Sequence, residues 1–183
     1  MKPYTLDPSK TLFLAIDLQE KLLPAIQGWE EVLSSSKKLI TAAHTLEIPL
    51  KVTEQYPKGL GPTEGQILSM LSEEVFEKTG FGCFDQEGFE EFFSIPRRDQ
   101  VVLFGIETHI CVHTTAMQLL TKGYDVTVVS DGCGSRKEEN HRIGMANMGS
   151  CGAHVLPLES VIYQLLRRSG TAEFKALLPL FKE

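Results

Sequence analysis

Apolar residues run along this chain in two rhythms, short continuous blocks and stretches where they recur every three or four positions. TLFLAID at 11–17 is the first block, and continuous apolarity suits a strand covered on both faces. Further strands are expected at 50–53, 75–79, 100–105 (QVVLFG), 125–130 (DVTVVS) and 154–158. Helical spacing marks 28–47, where Val32, Leu33, Leu39, Ile40 and Ala43 share a face and Pro49 follows. It marks 108–122 through Val112, Thr115, Ala116, Leu119 and Leu120, with Gly123 as the natural C-cap. Shorter helices are predicted at 63–71, at 88–93 with a stop near Pro96, and at 137–149, 159–168 and 172–181. YPKGLGP at 56–62 reads as loop, and Asp131-Gly132 reads as the end of the fifth strand.

Strand and helix in alternation predict an α/β fold: a Rossmann-like, three-layer, doubly wound sheet of parallel strands with helices on both faces. The length of 183 residues predicts one domain over 1–183. In such sheets ligands sit beyond the carboxyl ends of the strands. The residues that matter are therefore Asp17 and Gln19, Glu54 and Gln55, Lys78, the run 105–111, and 131–136.

Composition narrows the partners. Lys and Arg number 18 against 24 Asp and Glu, a net charge of −6, which opposes nucleic acid or an anionic membrane as the main partner. No segment is apolar for long enough to span a bilayer, and residues 1–10 lack the pattern of a signal peptide. Cys83, Cys111, Cys133 and Cys151 form no C-x-x-C pair, so free thiols in a cytoplasmic setting are expected.

Four chemistries compete for the strand ends. Gly80-Phe81-Gly82 begins like a dinucleotide loop, but position 85 is Asp and no clear helix follows, so no nucleotide cofactor is expected. His109 and His113 have the i,i+4 spacing of metal ligands, yet position 110 is Ile rather than Glu, and hydrogen bonding is the simpler role; no metal is expected. Ser130 and Ser135 lack the G-x-S-x-G elbow. Cys111 is different. It falls in the first turn of a helix just beyond a well-defined strand, where free N–H groups favour a thiolate and an oxyanion. Asp17 and Lys78 close strands one and three, and in a doubly wound sheet those ends converge. Asp can take the thiol proton and Lys can stabilise anions by charge. The residues alone equally allow Cys111 to be a small buried apolar side chain.

The wording around these residues resembles a known family. FLAIDLQ at 13–19, EKTGF at 77–81, VLFGIETHICV at 102–112 and GYDVTVVSDGCGSR at 123–136 are similar to the isochorismatase-like cysteine hydrolases. TEQYPKGLG at 53–61 resembles the isochorismatase-domain-containing subgroup more narrowly. The resemblance implies a six-stranded sheet of order 3-2-1-4-5-6, a catalytic triad at Asp17, Lys78 and Cys111, and a cis peptide at Ile106–Glu107. It also implies a homo-oligomer. Its relatives include nicotinamidases, N-carbamoyl-amine amidohydrolases and isochorismatases that cleave a vinyl ether. The Asp-x-His metal motif of nicotinamidases is not found here, since that stretch is Thr53-Glu54-Gln55-Tyr56-Pro57.

By this resemblance Cys111 is the nucleophile, Asp17 the base and later the acid, and Lys78 their electrostatic partner. The backbone amides of Glu107 and Cys111 would face the oxyanion. Gln19 and Gln55 could contact substrate through their amides, and Tyr56, Phe81 and Ile110 could wall the pocket. Thr108 is expected to cap the helix, and Asp131 and Arg136 to fix their loop. The expected activity is hydrolysis of a small amide or related carbonyl compound through an acyl-enzyme thioester. The alternatives are vinyl ether hydrolysis and a non-catalytic oligomeric scaffold.

Overall fold

The structure is a computed structural model that describes residues 4–95 and 97–182. The chain runs from β1 (Thr11–Ile16) through α1 (Trp29–Thr45) and β2 (Leu50–Gln55) to two single-turn helices, α2 (Pro57–Leu60) and α3 (Gly65–Leu68). β3 (Val75–Lys78), α4 (Phe89–Phe93), β4 (Gln100–Ile106), α5 (His113–Thr121) and β5 (Asp125–Gly134) follow. α6 (Glu138–Ser150), β6 (His154–Leu156), α7 (Leu158–Leu166) and α8 (Ala172–Leu177) complete the order. The six strands pair in parallel as β3-β2-β1-β4-β5-β6, the order the family resemblance implies.

Burial explains the apolar blocks. Every residue of β1 and β4, the two central strands, is buried, whereas in the edge strand β3 Val75 and Phe76 are half-buried, Glu77 is exposed and only the last residue, Lys78, is buried. No helix among the described residues is long and apolar enough to cross a membrane.

The structure departs from the sequence reading at several ends. The expected loop at 56–62 holds α2, because Pro57 at the first helical position has its φ preset; Gly61 at φ 77° stops the turn. The helix expected at 63–71 is only α3, capped by the Glu64 carboxylate on the amides of Gln66 and Ile67. The helix expected at 172–181 stops at Leu177 and becomes a 3-10 turn, Leu178–Phe181, containing Pro179. The Pro96 expected to stop α4 lies outside the described residues; the helix ends at Phe93.

Asp131-Gly132 does not end the fifth strand. Leu103 pairs with Val128, and pairing resumes at Gly105 with Cys133 and Ile106 with Gly134, so an irregularity in register carries β5 past the Asp-Gly pair. Asp131 Oδ1 instead accepts from the Leu158 amide at 2.7 Å and satisfies the start of α7.

Before α5, Thr108–Val112 forms one π-helical turn. The Glu107 carbonyl accepts from the amides of Ile110 (3.0 Å) and Val112 (3.3 Å), which flank Cys111. The Ile106–Glu107 peptide is cis. Thr108 is not the cap: its hydroxyl meets His141 Nδ1 at 2.9 Å, and Glu107 occupies the capping position.

Gly105 is where β4 passes closest to the functional end of β1. Its φ is 125°, and a Cβ there would overlap the backbone of Ile16. Gly105→Ala is expected to destabilise the protein by more than ~3 kcal/mol, since both strain and overlap oppose it. Urea denaturation checks this; a loss below ~1 kcal/mol would show that the two strands can separate freely.

Candidate active site

The first strand ends on Asp17, whose φ of 52° is left-handed, a conformation aspartate tolerates better than most residues. Its amide still donates to the Thr53 carbonyl at 3.1 Å, so the backbone stays on the sheet while the side chain leaves it. The carboxylate is fully buried. Oδ1 accepts from Thr53 Oγ1 at 2.7 Å, and Oδ2 accepts from Lys78 Nζ at 2.7 Å.

Lys78 reaches this carboxylate from the end of β3. Its ammonium also donates to Gln55 Oε1 at 2.7 Å and to the Gly80 carbonyl at 3.3 Å. Three hydrogens thus meet three acceptors, which a buried ammonium requires. Burial alone would lower the Lys78 pKa, but the charge of Asp17, then those of Cys111 and Cys83, act the other way, and the net shift is upward. Lys78 is a fixed cation at neutral pH.

Cys111 is 7% exposed and close enough to feel both charges. Burial raises its pKa first, Asp17 raises it further, and the opposing pull of Lys78 does not compensate. The thiol thus lies beside a carboxylate that can serve as its base at the moment of attack.

The polar residues around this centre brace it. Gln19 is buried, and its amide donates to the carbonyls of Gln55 (3.0 Å) and Gly61 (2.6 Å) while its Oε1 accepts from the Gln55 amide (2.7 Å). Gln55 bridges Lys78 Nζ and the Thr79 carbonyl, the latter at 2.7 Å. Both side-chain amides thus face protein groups. Glu107 turns its carboxylate to Arg136, which donates from its backbone amide (2.9 Å) and from Nε (3.0 Å). Arg136 thereby fixes the segment that precedes Cys111.

Tyr56 and Phe81 are exposed, 53% and 61% respectively, where large apolar side chains usually find cover. Tyr56 lines a cavity of about 290 Å³ with Lys78, Thr79 and Gln86. Ile110 is half-buried against the core, beside Cys111 in the π turn. His109 meets Ser135 Oγ at 2.9 Å and Asn140 Nδ2 at 3.3 Å, and His113 meets Asn147 Oδ1 at 2.8 Å. Among the described residues no group of His, Cys, Asp and Glu is arranged to hold a metal ion.

Sequence reasoning missed Thr53, whose hydroxyl holds Asp17: the sheet pairs it with Ile16, one residue before the aspartate, a register that no sequence pattern marks. It also placed Cys83 outside the chemistry. Cys83 is fully buried on the α5 face one turn beyond Cys111, where Thr115 Oγ1 lies 3.3 Å from its sulfur. Burial lifts its thiol to about 12.

The family model of the isochorismatase domain matches residues 11–160. Isochorismatase domain-containing protein 2 of Xenopus laevis is 39% identical over 175 residues, which cover 96% of this chain and 84% of that protein. Isochorismatase domain-containing protein 1 of Salmo salar is 35% identical over 175 residues, 96% of this chain; the match spans 62% of that longer protein. Among solved structures, the MAR1 ribonuclease of Caenorhabditis elegans matches with a TM-score of 0.90 at 34% identity, covering 97% of this chain and 92% of that one.

The buried pair makes a quantitative prediction. Lys78→Met strands a buried carboxylate and should cost ~3–5 kcal/mol, whereas Asp17→Asn with Lys78→Met together should cost clearly less than the two single changes summed. Urea denaturation of the four proteins measures the cycle, and strictly additive losses would contradict the pairing.

Proposed function

The chain belongs to the isochorismatase family, and from that premise we propose that it is a cysteine-nucleophile hydrolase of a small amide or related carbonyl compound. One observation carries the reading: a nearly buried thiol beside a carboxylate that a buried ammonium and a threonine hydroxyl hold in place.

Asp17 takes the proton of Cys111 as the sulfur attacks the substrate carbonyl, forming the carbon–sulfur bond of a tetrahedral intermediate. The oxyanion faces the start of the π turn, with the backbone amides of Glu107 and Cys111 as its donors. Collapse expels the amine, which leaves with the proton held by Asp17, and a thioester remains. Water then attacks the thioester, giving its proton to Asp17. The acid departs, and the proton returns from Asp17 to the sulfur. Lys78 keeps its charge throughout and offsets the negative charge shared between carboxylate and sulfur. Gln55 and Gln19 hold the lysine and the strand ends in register, while Tyr56, Phe81 and Ile110 border the entrance.

The C. elegans relative is described as a ribonuclease. Here the net charge of −6 works against a phosphate backbone, and the lysine at the site is committed to Asp17, Gln55 and Gly80. These features favour a small, uncharged carbonyl compound.

Cys111→Ala is expected to remove turnover of a panel of small amides, carbamoyl amines and vinyl ethers, while stability falls by only ~1–2 kcal/mol because the deleted group is small. Product formation by the purified proteins is the measurement. Vinyl ether turnover alone would point to isochorismatase-type chemistry. Undiminished amide hydrolysis by the variant would overturn the mechanism, and no turnover by the wild type of any compound would favour a scaffold.

A further inference from the structure

The catalytic carboxylate has two buried partners, and only one of them is charged. Oδ2 belongs to Lys78; Oδ1 belongs to Thr53 Oγ1 at 2.7 Å, and neither Asp17 nor Thr53 is exposed to water. A hydroxyl has one proton to give. Donated to Asp17, that proton commits the Thr53 hydroxyl to the carboxylate.

We propose that Thr53 is a positioning residue for catalysis, whose hydroxyl sets the orientation of the Asp17 carboxylate relative to the Cys111 thiol. The inference rests on the hydrolase reading, since it needs Asp17 to act as the base. The geometry explains the requirement. Asp17 leaves its strand through a left-handed backbone turn, so pairing with β2 and β4 does not by itself fix the carboxylate plane. One contact to Lys78 allows that plane to rotate about the shared oxygen. The second contact, on the opposite oxygen, removes the rotation.

Alkylation of Cys111 by iodoacetamide, which needs no natural substrate, tests this. Rates are read by peptide mass spectrometry, with the exposed Cys151 of the same protein as internal reference. Thr53→Val keeps the shape and loses the hydroxyl, and should slow the Cys111 rate about tenfold, as expected for a lost hydrogen bond to a charged group. Thr53→Ser keeps the hydroxyl and loses the methyl, and should regain the rate to within about threefold of wild type. A packing role predicts the reverse order, and that order, or an unchanged rate in Thr53→Val, would overturn the proposal. Should Thr53→Val fail to fold, Thr53→Ala against Thr53→Ser decides, since both lose the methyl and only one loses the hydroxyl: a rate about tenfold lower in Thr53→Ala supports the proposal, and equal rates refute it. Asp17→Asn separates the two claims: a changed Cys111 rate in Asp17→Asn with no effect in Thr53→Val removes this inference alone, and an unchanged rate in Asp17→Asn removes the hydrolase reading with it.

Discussion

The ammonium of Lys78 and the carboxylate of Asp17 meet at 2.7 Å with both side chains closed to water, and the surrounding structure answers to that contact. Removing either charge from water costs several kcal/mol, and the attraction between them offsets this only where the remaining donors and acceptors are also matched. Here they are. Gln55 and the Gly80 carbonyl complete the lysine, Thr53 completes the aspartate, and Gln19 holds the backbone from which Gln55 projects. The parallel sheet supplies the precision, because β1, β2 and β3 lie side by side and end at the same edge.

That pair also decides the state of the thiol. A cation alone beside Cys111 would lower its pKa; a cation already neutralised by a carboxylate does not. Burial and Asp17 both push the Cys111 thiol up, and Lys78, already paired, pulls it down less.

Much of this was legible in the residues. The continuous apolar blocks at 11–17 and 100–105 correspond to the two fully buried central strands, and Asp17 and Lys78 stand at strand ends because a parallel sheet places its chemistry there. Strand and helix ends were less legible, for identifiable reasons. The Asp-Gly pair at 131–132 has turn chemistry, yet the long-range pairing of Gly105 and Ile106 carries β5 through it. Thr108 has the side chain of a helix cap, but a π turn and His141 claim it. Thr53 and Cys83 escaped because an isolated threonine in a strand and a cysteine after a glycine have no sequence pattern of their own. Their place depends on which side chains the sheet and α5 bring face to face. Gln19 and Gln55 show the converse, since residue type suggests ligand contact while the folded chain turns both amides to its own groups.

The central claim is that bond exchange passes through the sulfur of Cys111. It is tested most directly by mixing the wild-type protein with a compound it hydrolyses, quenching in acid within the first turnover, and mapping the adduct by mass spectrometry. The account predicts an acyl group on Cys111 as a thioester that appears before free acid and decays at the turnover rate. Turnover with no adduct on any residue, or an adduct that maps to Cys83 while Cys111 stays unmodified, would contradict it.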